Sequence, residues 1–307
     1  MTALCAVIVS FTSYSQINVT GGQTGPDLAA ILSGTNISVS NVTLGGSPVA
    51  SGSFVSSNGF DFSSGVILST GTLDNCVGPN DDPNTSDNLG FPGTAQMDVL
   101  GGGNSWDAMW LEFDFVVQSS SIQFEYIFAS EDYPEAAPPN NPSFNDVFGF
   151  FISGPGIVGE ENIALIPGTA DEVSILNVNP ITNAQYYVDN TGGQEIQFDG
   201  YTTPLVATRD NLVACGTYHL KLIIADIHNI NRNSAVFLKE NSFVQENVLG
   251  VETQTVNSDG IALEGCVEGT FTFAFDDISN QDRVITYAVA GSAVNGVDYA
   301  FLDTAIT

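Results

Sequence analysis

Two neighbouring stretches of the sequence, WLEFDFVV (residues 110–117) and SIQFEYIF (121–128), decide the fold class. In both, apolar side chains alternate with polar ones, which is the pattern of a β-strand that buries one face. A third stretch, YHLKLIIAD (218–226), alternates in the same way and sets His219 and Lys221 on the polar side. The dominant period of the chain is therefore two, and we predict antiparallel β-structure.

Shorter apolar segments bounded by Gly, Pro and Asn predict further strands. These are DVFGFFISG (146–154), NIALIPG (162–168), VSILNVN (173–179) and SAVFLKENSF (234–243). The segment PDLAAILSG (26–34) predicts one short N-terminal helix, because it has an early Pro, an acid in its first turn and a terminal Gly. We predict an all-β, antiparallel, jelly-roll-like β-sandwich over residues 17–248.

A second unit is predicted over residues 251–307. EGCVEGTFTFAF (264–275) alternates as a strand, and VITYAVAGSAVNGVDYAFL (284–302) follows as strand, turn and strand. Three or four strands are too few to close a sandwich. We therefore expect a truncated, Ig-like β domain, with further β-repeats of the same polypeptide beyond residue 307.

The charge of the chain is strongly asymmetric. The formal net charge is −30, and the first 208 residues contain no Lys or Arg. Such a surface repels phosphate backbones and anionic membranes, so nucleic-acid binding is excluded as a function class. Two explanations of the charge stay open: bound divalent cations that relieve it, or a surface adapted to saline surroundings.

The N-terminus predicts export. LCAVIVSFTS (4–13) is apolar but too short to span a membrane, and small residues follow it, so residues 1–16 are predicted to be a signal peptide. The positively charged start of such a signal is absent, and we expect that the true start lies upstream. A buried first strand is the alternative. We predict no membrane insertion by this part of the protein.

Export makes the cysteines informative. Cys5 lies in the predicted signal, so Cys76 and Cys215 are the two cysteines of the main domain and are predicted to form a disulfide. Cys266 is then left without a partner in the sequence.

Eight ordered motifs resemble those of the choice-of-anchor L domain. They are GVILSTG (65–71), GPN (78–80), FASEDYPE (128–135), FNDVFGFFISGPG (144–156), NIALIPGT (162–169), YYVDN (186–190), CGTYHLKLIIAD (215–226) and SAVFL (234–238). The resemblance implies a modular protein that is secreted or held at the cell surface, typical of Bacteroidota and often exported by type IX secretion. The stretch from residue 264 to 299 is similar to the start of a Calx-beta repeat. Where the family commonly has two Glu before a Tyr, this chain has Glu131 and Asp132.

The stretch FASEDYPEAAPPNNPSFNDVFGF (128–150) gathers acids between two apolar segments. Glu131, Asp132, Asn145 and Asp146 lie at two strand ends that we expect to be adjacent, and Asp226 ends a third strand. Oxygen ligands of this kind suit Ca²⁺. We predict a calcium site formed by these five residues.

Other interpretations of the acidic loop stay open. The loop is a solvated, hydrogen-bonded segment in one of them. In another, Glu131 and Asp146 form the carboxylate pair of a glycoside hydrolase. Tyr133, inside the loop, is predicted to be exposed and to bind ligand, whereas Trp110 is predicted to pack in the core and Trp106 is one of several aromatics able to stack on sugars if exposed.

Taken with the family resemblance, the sequence predicts a non-enzymatic, extracellular or cell-surface, adhesin-like β-sandwich module that Ca²⁺ stabilises. Its partner is expected to be a surface glycan or a protein. The alternative is a carbohydrate-binding module of an exported polysaccharide-degrading system.

Overall fold

The computed structural model describes residues 16–34, 37–57, 60–140, 144–245, 249–255, 269–275, 284–303 and 305–306. These residues belong to two compact units, Met1–Gln245 and Glu246–Thr307. Most of the predicted signal peptide, with Cys5, lies outside the described residues, as does Cys266.

The regular secondary structure of the first unit is mostly strand. Its strands are β1 (Asn18–Gly21), β2 (Val39–Gly45), β3 (Ser51–Val55), β4 (Ser64–Ser69), β5 (Ser105–Val116), β6 (Ile122–Ser130), β7 (Val147–Ser153), β8 (Glu161–Asn162), β9 (Val173–Ser174), β10 (Tyr187–Asp189), β11 (Gly200–Thr202), β12 (Leu205–Arg209), β13 (Thr217–Ile227), β14 (Ser234–Lys239) and β15 (Val244–Gln245). Its helices are α1 (Gly25–Ser33) and α2 (Ala95–Gly101), with 3-10 turns at Leu73–Cys76 and Ala184–Tyr186.

Two antiparallel sheets form the predicted sandwich. Sheet A has the order β1-β3-β4-β14-β6-β11-β10, and β12 and β15 also pair with β6. Sheet B has the order β2-β5-β13-β7-β8, and β9 pairs with β7. The three stretches of strict alternation become β5, β6 and β13, the long central strands of the two sheets.

The alternation places one face of each long strand in a shared core between the sheets. Leu111 on β5 pairs with Leu222 on β13, Phe124 lies on β6, and all three are fully buried. The ring of Phe124 stacks 4.2 Å from the ring of Phe243, which follows β14. The α1 helix closes one edge of this core with Leu28, Ala29 and Leu32.

The outer faces of the sheets are also partly covered. Beside sheet A, Phe54, Phe60 and Phe237 form an aromatic cluster under the surrounding loops. Beside sheet B, α2 packs Met97 and Leu100 on the outer side chains of β7 and β13. The sequence predicted only one helix, because α2 is short and its neighbours are rich in Gly; the Thr94 hydroxyl caps it by accepting a hydrogen bond from the Met97 amide at 3.2 Å.

The predicted disulfide between Cys76 and Cys215 is wrong. Both thiols are free: Cys76 is buried in the cluster outside sheet A, and Cys215 is exposed in the turn before β13 of sheet B. Cys76 therefore lies beside sheet A and Cys215 beside sheet B. The number of cysteines alone could not show this separation. Burial raises the pKa of the Cys76 thiol to about 12, so it stays protonated and unreactive.

The second unit is described by two strand pairs. β16 (Leu249–Thr255) pairs with β17 (Gly269–Phe275), and β18 (Ile285–Thr286) pairs with β19 (Ala305–Ile306), both antiparallel. The rings of Phe273 and Tyr287 lie 5.6 Å apart. The expectation of an incomplete Calx-beta-like domain is not tested by these pairs and stays a prediction.

Candidate carboxylate site

Three carboxylates meet at one end of the core between the sheets. Asp132 continues the inward phase of β6, Asp146 precedes β7 in phase with its buried Phe residues, and Asp226 continues the inward phase of β13. Their exposed fractions are 0, 1 and 0 %. We call Asp132, Asp146 and Asp226 the inner carboxylate group.

Asp146 is the best supported member of the inner carboxylate group. Its Oδ1 accepts a hydrogen bond from the Ile227 amide at 2.9 Å, and its Oδ2 accepts one from the Ser234 hydroxyl at 2.7 Å. The Ser234 hydroxyl also lies 2.8 Å from that of Ser130, whose oxygen accepts from the Asp132 amide at 3.0 Å. A short polar chain therefore connects β7, β14 and the end of β6.

Asp132 and Asp226 lack the hydrogen-bond donors that Asp146 has among the described residues. No side chain or backbone donor among the described residues reaches either oxygen of Asp132 or of Asp226 with hydrogen-bond geometry. A buried carboxylate without donors is costly, because burial removes the water that solvates its charge. These four oxygens need a proton, a cation or water.

Among the described residues, one basic side chain, that of Arg232, lies beside the inner carboxylate group. Nη1 of Arg232 lies 4.0 Å from Oδ1 of Asp132, and its side chain is 24 % exposed. One guanidinium at that distance cannot balance three carboxylates. Arg232 reaches the site from the loop between β13 and β14, so no pattern of sequence neighbours pointed to it.

The electrostatics of the group follow from this imbalance. Burial raises the pKa of Asp132 and of Asp226, and the nearby charge of Asp146 raises both further. Burial also raises the pKa of Asp146, although its bonds from Ser234 and the Ile227 amide act in the opposite direction. The folded protein thus favours protonation or a bound cation at this end.

Glu131 is directed away from the other predicted ligands. It follows the outward phase of β6, beside Cys76 and the outer cluster of sheet A. Its pKa is raised to about 9, first by burial and then by the charge of Asp199. Asp199 is itself buried; its Oδ1 accepts from the Asn80 side-chain Nδ2 at 2.9 Å, and no described residue donates to its Oδ2. The structure therefore separates the predicted five-residue site into the inner carboxylate group and a Glu131–Asp199 pair.

The amide residue of the predicted site, Asn145, lies next to Asp146 in the chain. Its Nδ2 donates to the carbonyl of Gly101 at 3.3 Å, and its buried Oδ1 has no donor. Gly101 ends α2 on the outer side of sheet B, so the Asn145 side chain faces away from the inner carboxylate group, and its predicted place among the ligands is not supported.

The described residues hold no group of three His, Cys, Asp or Glu side chains in a ready-made metal-binding arrangement. The chemistry of the orphaned atoms nevertheless fits Ca²⁺, because all of them are oxygens and Ca²⁺ also takes backbone and water oxygens.

The prediction that Tyr133 is exposed is wrong. Tyr133 is fully buried, its hydroxyl donates to the Val178 carbonyl at 2.6 Å, and its ring lies 5.0 Å from that of Tyr187. An aromatic ring inside an acidic loop suggested solvent contact, but the loop folds back over the end of the core. Trp110, predicted to pack in the core, is only partly buried and lies on the α2 side of sheet B rather than between the sheets.

The glycoside hydrolase interpretation is not favoured by the placement of its two acids. Glu131 lies on the outer side of sheet A and Asp146 on the inner side, and both are buried. Two carboxyls that flank one glycosidic bond must reach the same cleft.

Sequence reasoning missed Asp199, Arg232 and Ser234. Asp199 precedes the short strand β11 and pairs with Glu131 only because β11 lies beside β6. The one usable signal was Ser234, which opens the apolar motif SAVFL with a polar residue at the inward phase.

The comparisons with known proteins agree with this architecture. The family profile described as the choice-of-anchor L domain matches residues 21–244. The chain belongs to the choice-of-anchor L domain family. This family consists of non-catalytic surface modules, so the chain is a secreted or surface β-module. No curated protein and no solved structure gave a match.

No helix of the described residues combines the length and the apolar character that a membrane span needs.

Proposed function

We propose that this choice-of-anchor L domain is an adhesin-like module whose inner carboxylate group binds Ca²⁺. In this role the cation holds the ends of β6, β7 and β13 together, and the loops around them present a ligand-binding rim. No chemistry is required of the carboxylates beyond holding the ion.

One observation carries the proposal: Asp132 and Asp226 are fully buried, and no described residue donates to their four oxygens with full hydrogen-bond geometry, although the Thr70 hydroxyl and Arg232 act on their pKa values. Their carboxylates lie at the same end of the core as Asp146, whose charge is felt by both. A divalent cation would supply the charge that Arg232 alone does not. The overall charge of −30 favours such a partner as well.

The residues that would hold the ion are Asp132, Asp146 and Asp226. Glu131 was part of the predicted site, but its outward direction assigns it to the separate pair with Asp199. The acidic loop after β6 would be ordered through Asp132, because that residue begins the loop.

Thermal unfolding with and without Ca²⁺ tests the proposal. A cation that binds only the native state stabilises it by RT ln(1 + [L]/Kd), or about 2.7 kcal/mol at a hundredfold excess. We expect Tm to rise in millimolar Ca²⁺ and to fall in chelator, and Asp132→Asn to remove most of that difference.

The matched control is Asp61→Asn, which removes one exposed acid from the same unit. It should keep the full calcium response. A Tm that ignores both Ca²⁺ and chelator in the unaltered chain would refute the calcium site, and an equal loss in both variants would show only a general charge effect.

A further inference from the structure

An open cleft of about 560 Å³ lies at the rim beside the inner carboxylate group. Its walls come from residues 88–92, from the start of β5 and from residues 228–231. The most prominent apolar surface in it is the indole of Trp106, which is 43 % exposed. An exposed Trp ring in the wall of a cleft provides a large apolar surface on which a ligand ring could stack.

A β-bulge directs Trp106 into this cleft. Ile224 on β13 pairs with Met109, but Asp226, two residues later, pairs with Trp106, so β5 contains one extra residue at this point. Paired residues of an antiparallel ladder present their side chains to the same face. The bulge therefore moves Trp106 from the outer face of sheet B to the side of Asp226, as bulges beside binding sites often do.

The backbone at the bulge is held in an uncommon conformation. Asp107 has φ 45°, in the left-handed region that residues with a Cβ seldom adopt. Its carboxylate accepts hydrogen bonds from the amides of Leu89 at 3.1 Å and Phe91 at 2.6 Å. Asp107 thus fixes the orientation of Trp106 and the wall formed by residues 88–92 together.

The opposite wall of the cleft is polar, and a hydrogen bond holds its backbone in place. His228 has φ 72°, and its amide donates to the Asn104 carbonyl at 2.9 Å. Oδ1 of Asn229 accepts from the Asn231 backbone amide at 2.6 Å, and both residues line the cleft. Amide and imidazole groups both donate and accept hydrogen bonds.

These features match a sugar. One aromatic face suits the C–H face of a pyranose ring, and the surrounding Asn and His groups suit its hydroxyls, which donate and accept in turn. Asp107 is the one charged residue in the cleft wall, and the chain carries a formal charge of −30. An anionic glycan would be repelled, so the ligand is neutral.

We propose that the Trp106 cleft binds a neutral oligosaccharide, with Trp106 as the stacking residue and Asn88, His228, Asn229 and Asn231 as hydrogen-bonding partners. This rests on the proposed function of the domain as an adhesin-like module and names the class of its ligand. It differs from the earlier choice of Tyr133, which is buried.

Binding of the full chain to an array of glucan, mannan, xylan and galactan hexasaccharides tests the proposal, with oligogalacturonate and sulfated galactan as anionic comparisons. We expect at least one neutral hexasaccharide to bind. Because the chain has 2 Trp, the Trp110→Phe variant makes Trp106 the sole tryptophan, and its fluorescence should change on binding of that hexasaccharide.

Trp106→Ala should weaken binding by roughly tenfold or more, as expected for loss of one aromatic contact of about 1.4 kcal/mol. Trp106→Phe should retain part of the affinity. Phe301→Ala removes an exposed ring from the second unit and should leave binding unchanged. An unaltered Tm of Trp106→Ala would show that its fold is intact.

Three outcomes would overturn the proposal: no neutral hexasaccharide binds, an anionic one binds better, or Trp106→Ala binds as well as the unaltered chain. All measurements are made in Ca²⁺ and in chelator. Binding in both conditions with no calcium effect on Tm would refute the calcium site and leave the sugar cleft standing. A calcium-dependent Tm without sugar binding would refute the cleft alone.

Discussion

The inner carboxylate group and the outer face of sheet B use the same residue types with opposite results. On the outer face, Glu112 and Asp114 of β5 lie across from Lys221 and His219 of β13. Oδ1 of Asp114 lies 2.7 Å from Nδ1 of His219, and Oδ2 of Asp114 accepts a hydrogen bond from the side-chain Nδ2 of Asn41 at 2.7 Å.

Hydrogen-bond partners and contact with water explain why the acids of the two regions affect stability in opposite directions. Hydrogen bonds from Asn41 and then His219 lower the pKa of Asp114, so its charge stabilises the fold. In the inner carboxylate group, burial raises the pKa of each acid, so its charge opposes the fold. A count of acids therefore says little about stability until each acid has been assigned an environment.

The largest contrast should appear with pH. In chelator we expect the free energy of unfolding to increase as pH falls from 8 to 5. The inner acids and Glu131 have raised pKa values in the folded state, so over this window the folded chain binds more protons than the unfolded chain. Each fully shifted group contributes about 1.4 kcal/mol per pH unit.

Urea unfolding at pH 8, 6.5 and 5 measures this dependence. The pKa of Asp114 is lowered, so its contribution is present above the unfolded value and is lost only at more acidic pH. Asp114→Asn should keep the slope between pH 8 and 5. Stability that falls on acidification across this window would contradict the assignment of the inner acids.

A pair of matched substitutions should have effects of opposite sign. In chelator, Asp226→Asn removes a buried charge without a donor and should raise the free energy of unfolding by about 1–3 kcal/mol. Asp114→Asn removes a paired carboxylate and should lower it by about 0.5–1.5 kcal/mol. Guanidinium unfolding midpoints compare the two.

If both substitutions raised the free energy of unfolding in chelator, or both lowered it, the proposed difference between the two regions would be refuted. Added Ca²⁺ provides the control, because it should stabilise the unaltered chain and Asp114→Asn but not Asp226→Asn.

The smallest effect on the calcium response is expected at the Glu131–Asp199 pair. Glu131→Gln removes one of two buried acids, so in chelator it should raise the free energy of unfolding at pH 7, because the cost of protonating Glu131 on burial is removed. Its calcium-dependent rise in Tm should equal that of the unaltered chain. A lost calcium response in Glu131→Gln would place Glu131 back among the cation ligands.

Much of the fold could be predicted from sequence because its signal is local. A period of two over 110–117, 121–128 and 218–226 identified the central strands and their buried faces, and Pro26 with Gly34 delimited α1 to within a residue. The segments 162–168 and 173–179 were less informative: they form two-residue strands followed by turns, since apolar runs of that length are also typical of buried loops.

The candidate site was predicted only in part. Asp132, Asp146 and Asp226 each end or begin an apolar strand in the inward phase, so their convergence followed from alternation. Glu131 was placed with them because it is adjacent in sequence, yet neighbouring residues of a strand point to opposite faces.

The sequence by itself determined the strands, their inward faces and an acidic end to the core. Only the tertiary structure decided which acids share that end, that Arg232 reaches Asp132, that Tyr133 is buried and that a bulge exposes Trp106. The physical reason is that periodicity specifies the direction of a side chain relative to its own strand. Partners, burial and pKa depend on which other strands pack there, and those contacts join residues a hundred or more positions apart along the chain, such as Asp132 and Arg232 or Ser130 and Ser234.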